Sequence, residues 1–247
     1  MRFEVVTVFA QMIDEACAHG VLGRAISAGL VQVGTTDPRR FTSDVHQTVD
    51  DRPYGGGPGM VLKPKPCVEA IRMAARRAPP GSPRILLSPQ GRPFDQAQAR
   101  RLAGLPGLVL VCGRYEGLDE RIVELAIDEE LSIGDFVLSG GELAALAVID
   151  AVSRLLPGVL GGADSVRDES FTENLLDWPH YTRPPAFEGL TVPAVLQGGD
   201  HAAIRRWRLK QSVARTWQRR PDMIIRQPLS REAQVLLNEF LAERAGG

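Results

Sequence analysis

The sequence predicts an α/β protein built on a parallel sheet, and three observations carry that prediction. Short apolar runs rich in β-branched residues end in turn signals, helical patterns lie between them, and one later stretch is apolar nearly all round.

Val5–Phe9, Ile85–Ser88 and Leu108–Cys112 are the runs, and each reads as a strand buried on both faces. After Gly117, the set Leu118, Ile122, Leu125 and Ala126 follows helical spacing. Asp119 and Glu120 stand where a first helical turn favours acids. From Gly141 to Leu156 the pattern is that of a largely buried helix, which stops before Pro157 and Gly158.

At 247 residues and 44% hydrophobic, the chain can bury a substantial core, which excludes a disordered protein. Lys and Arg total 29 against 30 Asp and Glu, so attraction to nucleic acid must come from uneven placement of charge. Cys17, Cys67 and Cys112 are odd in number and far apart, which argues against a disulfide framework or a zinc site. Glu4 interrupts the N-terminal apolar stretch, and no run approaches the roughly 18 apolar residues of a membrane helix. A cytoplasmic protein with no membrane partner is expected.

The stretch Gly158–Glu173 lacks periodicity and is rich in Gly, Asp, Ser and Glu, so it reads as a flexible linker or an active-site loop. Positions 201–220 then hold Arg205, Arg206, Arg208, Lys210, Arg215, Arg219 and Arg220 with no acid, interleaved with Trp207 and Trp217. Stacking surfaces beside phosphate-binding groups fit RNA contact, and a solvated helix with core tryptophans fits equally well.

Three strand-end loops join Gly to polar residues: Leu87-Ser88-Pro89-Gln90-Gly91, Cys112–Gly117 and Ser132–Glu142. In open α/β sheets ligands sit beyond the carboxyl ends of the strands, so the three loops together can shape one pocket. Within them Glu116 suits a sulfonium ligand or a divalent metal, or else an ion pair with Arg114 or Arg121. Tyr54-Gly55-Gly56-Gly57-Pro58-Gly59-Met60 is neither a Walker A loop nor a dinucleotide fingerprint, and it marks a tight turn or a close backbone approach. Arg154 lies one helical turn after Asp150, the spacing of a surface ion pair, and Asp164, Asp168, Glu169 and Glu173 in the linker either keep it soluble or offer a base.

Taken in order, these segments resemble the bacterial tRNA (guanine-37-N1)-methyltransferases called TrmD, of the SPOUT superfamily. The resemblance runs nearly end to end. It rests on Thr48–Met60, Val111–Gly117, Ser132–Glu142, Pro157–Gly161, His180-Tyr181-Thr182-Arg183-Pro184 and Ile204-Arg205-Arg206-Trp207-Arg208.

What it implies is a SPOUT-type parallel sheet with a C-terminal trefoil knot, followed by a small helical domain. The knotted domain, which binds S-adenosylmethionine (SAM), would span residues 1–160, a flexible linker 161–175, and a helical tRNA-binding domain 176–247. The implied reaction is methyl transfer from SAM to N1 of guanosine 37 in tRNA. It would be performed by a homodimer whose active sites are shared between subunits, with Mg²⁺ as a further requirement. The implied SAM pocket falls on Leu87, Ser88, Pro89, Gly113, Glu116, Ser132, Ile133, Gly134, Asp135, Phe136, Val137, Leu138, Gly140 and Gly141.

The family's catalytic arginine falls on Arg154, and its base, the aspartate of an Asp-Ser-Phe triplet, falls on Glu169 in Glu169-Ser170-Phe171. Asp168 stands just before it, so the two acids are exchanged relative to the family's usual order and either carboxylate offers the base. Ala144 replaces the family's common proline at one wall of the pocket. A SPOUT enzyme acting on a ribose 2′-hydroxyl would share the knot but not this linker or the helical domain. A tRNA-binding protein without catalysis is the alternative that the exchanged acids leave open.

Overall fold

The computed structural model describes residues 1–161, 170–171 and 174–245, and the chain divides into two compact units, Met1–Gly161 and Gly162–Gly247. The first unit runs β1 (Arg2–Val6), α1 (Ala10–Cys17), α2 (Gly20–Ser27), β2 (Gln32–Thr36), β3 (Asp50–Asp51), β4 (Val61–Leu62) and α3 (Pro64–Arg77). It continues with β5 (Arg84–Pro93), α4 (Gln96–Ala103), β6 (Gly107–Cys112), α5 (Glu120–Ala126), β7 (Glu129–Ser132) and α6 (Glu142–Ser153). Five strands form one sheet in the order β2-β1-β6-β5-β7, and every pairing in it is parallel.

The strand sequences are hydrophobic at consecutive positions because both faces of the sheet are covered. Phe3, Val5, Ile85, Leu87, Leu108 and Leu110 pack with Ile13, Leu102 and Ile149 on one face. Val6, Leu86, Val109 and Val111 pack with Ile71 and Ile122 on the other.

Boundaries differ from the apolar runs for local reasons. β1 begins at Arg2 and ends at Val6, because Glu4 occupies an interior strand position despite its charge. Glu4 is fully buried, and its Oε1 accepts from Arg2 Nε at 2.8 Å and Nη2 at 2.5 Å. Opposite it on β2 stands Gly34, where a Cβ would lie 2.7 Å from that oxygen. β5 runs on to Pro93, and its register against β7 shifts between Leu87 and Arg92. Asp119 caps α5 by accepting from the Arg121 N–H rather than standing inside the helix, and Leu125 is exposed. α6 buries Ala144, Ala145, Val148, Ile149 and Val152, as its all-round apolarity predicts.

In the second unit β8 (Ala186–Phe187) and β9 (Leu190–Thr191) form a hairpin, followed by α7 (Ala194–Gln197), α8 (His201–Arg219), α9 (Pro221–Arg226) and α10 (Arg231–Ala245). Leu175, Val213, Ala233 and Leu237 make its small core, flanked by Leu209, Trp217 and Phe240. No described helix is long and apolar enough to cross a membrane.

Candidate functional site

The irregular part of β5 between Leu87 and Arg92 and the loops leaving β6 and β7 line a cleft of about 370 Å³, so Leu87–Gly91, expected as a strand-end loop, lies within β5 where its register shifts. That volume falls in the range of small-ligand sites. β6 is buried along its whole length and delivers Gly113 to the cleft. Leu87, Ser88 and Pro89 come from β5, while Ser132, Ile133, Gly134, Phe136, Val137 and Leu138 come from the end of β7 and its loop. Gly140 and Gly141 complete the wall with Glu116, and Asp135 is not among the lining residues.

Short backbone contacts hold these loops. The Gly141 N–H donates to the Gly113 carbonyl at 3.0 Å, which fastens the start of α6 to the end of β6. A Cβ at position 141 would stand 2.8 Å from Cys112 Cα, so only glycine permits that approach. Within the β7 loop the Gly134 N–H donates to Ser132 Oγ at 3.2 Å, and the Phe136 N–H to the Gly134 carbonyl at 3.0 Å.

Charge at the cleft is arranged around Arg114. Its Nη2 lies 2.8 Å from Glu142 Oε2, its Nη1 donates to the Ser139 carbonyl at 3.2 Å, and its guanidinium sits 4.4 Å from the Phe9 ring centroid. Glu142 is almost fully buried, and its Oε1 accepts from Thr7 Oγ1 at 2.6 Å. Burial first, and then the negative charge of Glu142, push the Cys112 thiol well above its ordinary pKa. Arg121 is engaged by Asp119 at 2.7 Å, so the two arginines considered as partners of Glu116 are held by other acids.

Glu116 instead meets the glycine-rich turn. Its N–H donates to the Met60 carbonyl at 3.0 Å, and a Cβ on Gly59, which has φ +82°, would fall on its carboxylate. The run Tyr54–Met60 therefore makes the close approach that its glycines signal, against a residue of the cleft wall. Pairing of Arg114 with Glu142 was not legible, since 28 residues separate them and no local spacing links them.

Arg154 stands at the other end of α6, where its N–H donates to the Asp150 carbonyl at 3.1 Å. Ten helical steps separate it from Ala144, the nearest α6 residue lining the cleft, about 15 Å at 1.5 Å per residue. It is not among the residues lining the cleft. Asp164, Asp168, Glu169 and Glu173 lie outside the described residues. Beside them, Ser170 Oγ accepts from the Asp177 N–H at 3.0 Å, and the Phe171 N–H donates to the Leu175 carbonyl at 2.7 Å.

The basic helix α8 is matched by acids of α10. Arg205 pairs with Glu232 at 2.8 Å, Arg206 with Glu239 at 2.5 Å and Lys210 with Glu243 at 2.6 Å. Trp217 packs edge-on against Phe240 at 6.2 Å, which makes it a core residue. Trp207 lies 6.4 Å from Tyr181, and the Arg208 guanidinium sits 4.8 Å from the Trp178 ring.

Comparison with known proteins adds to this geometry. The model of the family described as tRNA (Guanine-1)-methyltransferase TrmD matches residues 1–226. The chain is 58% identical to the tRNA (guanine-N(1)-)-methyltransferase of Methylococcus capsulatus over 243 residues, covering 98% of this chain and 97% of that one. It is 56% identical to the protein of the same name from Chromohalobacter salexigens over 251 residues, covering 99% and 94%. With that of Aeromonas salmonicida it shares 54% over 243 residues, covering 98% of each.

Proposed function

The chain belongs to the TrmD family of tRNA (guanine-1)-methyltransferases, and we propose that the cleft beyond β5, β6 and β7 is where it holds its methyl donor. It is an enzyme that methylates N1 of guanine in tRNA; SAM as donor and guanosine 37 as the target follow from the family. The observation that carries the site is the convergence of the irregular part of β5 with the loops leaving β6 and β7 on one cleft, where glycines at 113, 134, 140 and 141 let these segments pack closely. Leu87, Ser88 and Pro89, Gly113 and Glu116, Ser132–Leu138, and Gly140 with Gly141 are the residues assigned to SAM. Asp135 is assigned on register alone.

SAM supplies an electrophilic methyl group carried on a sulfonium. N1 of guanine bears a proton, so a base must remove it as the new bond forms, and Glu169 is assigned that role by register, with Asp168 the alternative. As the proton leaves, negative charge develops toward O6. A donated hydrogen bond from the Arg154 guanidinium there is worth about 3 kcal/mol, by comparison with oxyanion donors. The cleft and the bound RNA together hold methyl and N1 at contact distance, which makes the transfer effectively intramolecular.

Because Arg154 stands about 15 Å along α6 from Ala144, the α6 residue of the cleft lining nearest to it, one protomer does not place its own arginine among the described residues lining its cleft. This supports a homodimer in which the second subunit supplies Arg154. The trefoil knot, the helical tRNA-binding domain at 176–247 reached through a linker at 161–175, and a cytoplasmic location complete the reading. They rest on the family, on the parallel sheet and on the basic face of α8. Mg²⁺ would draw on the Glu116 carboxylate and the linker acids. Among the described residues no group of three or more His, Cys, Asp or Glu is placed to hold a metal, so no step is assigned to it.

Labelled SAM and a tRNA transcript carrying guanosine at positions 36 and 37 test the reading. Incorporation that disappears when only position 37 is changed to adenosine is expected, and no incorporation into either RNA would overturn it.

A further inference from the structure

Among the described residues lining the cleft, Glu116, Glu120 and Glu130 are the acids and Arg114 is the one base. Glu142 is not on the lining and is almost fully buried, yet it lies 2.8 Å behind the Arg114 guanidinium. A bound ligand therefore meets Arg114 with its charge already compensated. This arrangement bears on the one electrostatic difference between donor and product. The donor carries a sulfonium, an ammonium and a carboxylate, net +1, whereas S-adenosylhomocysteine (SAH), which lacks the sulfonium charge, is neutral overall.

We propose that Glu142 sets the charge of the donor cleft: by cancelling Arg114 it makes an already negative cleft more negative by one unit and favours cationic SAM over neutral SAH. Glu142 acts through Arg114 and touches neither ligand, so it is a positioning and charge-setting residue. The proposal rests on the cleft being the donor site. Arg114 has two further anchors, the Ser139 carbonyl and the Phe9 ring, so its guanidinium stays at the cleft when the charge behind it is removed. Glutamine at 142 keeps the shape and still accepts from Thr7 Oγ1.

Isothermal titration of the RNA-free protein with SAM and with SAH provides the test. Glu142→Gln should shift the SAM:SAH affinity ratio about fivefold toward SAH, the size of effect one unit charge exerts across a partly solvated cleft. Adding Arg114→Met to Glu142→Gln should return the ratio to the wild-type value. Arg114→Met alone should move it the opposite way, which keeps the proposal testable if Glu142→Gln folds poorly. An equal loss for both ligands, or an unchanged ratio, would overturn it. Gly141→Val separates this from the underlying reading: if it binds both ligands normally, the cleft is not the donor site and both ideas fall. If it loses both while Glu142→Gln leaves the ratio unchanged, only the charge inference falls.

Discussion

The Gly141 N–H reaches the Gly113 carbonyl at 3.0 Å, and this one hydrogen bond joins the end of β6 to the start of the helix that leaves the cleft. The contact exists because position 141 has no side chain: a Cβ would stand 2.8 Å from Cys112 Cα. Gly141→Ala must force the two backbones apart, an overpacking cost of about 1–3 kcal/mol. Titration should show weakened SAM binding with a lowered melting temperature. Normal affinity would contradict the assignment of this cleft to SAM.

The exchanged acids make a separate prediction. Glu169→Gln should lower the single-turnover rate by about 10²–10⁴-fold, the usual worth of a positioned base. Asp168→Asn should cost less than about tenfold, since a neighbour that takes no proton leaves that step intact. Rapid-quench kinetics with saturating SAM distinguish the two, and the reverse order would move the base to Asp168.

For α8, the pairing with α10 changes what its arginines are expected to do. Arg206 and Glu239 form an exposed ion pair, worth about 0–1 kcal/mol, so a phosphate can replace the carboxylate at little cost. Arg206→Ala should weaken tRNA binding and lower the salt slope by about one, leaving SAM affinity unchanged. Glu239→Gln should tighten tRNA binding at low salt. Filter binding across a salt series decides, and a loss of SAM affinity in Arg206→Ala would make the segment structural.

The three thiols should be inert in the folded protein. Burial pushes Cys67 up to about 12 and, with Asp14, Cys17 up to about 11, while burial and then the charge of Glu142 hold Cys112 well above its ordinary value. A raised thiol pKa means less thiolate at any pH below it. Alkylation of Cys67 at pH 8 should run on the order of a thousandfold slower than for a free cysteine, and denaturant should abolish the difference. Prompt labelling of the native protein would show that its cysteines are reached by local opening.

Legibility followed the range of the interactions. Val5, Val109 and Leu110 announced strands covered on both faces, because burial acts on each residue where it stands. The loops after β6 and β7 were readable since Gly and polar residues cluster locally at strand ends, whereas Leu87–Gly91, expected as a third such loop, lies within β5 at its register shift. Glu4 obscured the start of β1, as its charge is compensated by Arg2 two positions back along the same strand and accommodated by Gly34 on the next one. The Arg114–Glu142 and Arg206–Glu239 pairs join residues 28 and 33 apart, and only the fold brings them together. β2, a half-exposed edge strand reading Gln-Val-Gly-Thr-Thr, carries too weak a pattern to be seen in advance.

Mixed dimers test the central claim, that a cleft in one subunit works with Arg154 from the other. Arg154→Ala should cost about 10²–10³-fold in turnover, comparable to an oxyanion donor, and Gly141→Val should lose SAM binding. Unfolding and refolding the two variants together at equal concentration should restore about a quarter of wild-type activity, because half the dimers are mixed and each holds one intact site. A mixture no more active than the sum of its parents would place Arg154 and the cleft of one active site in the same subunit, and would contradict the account.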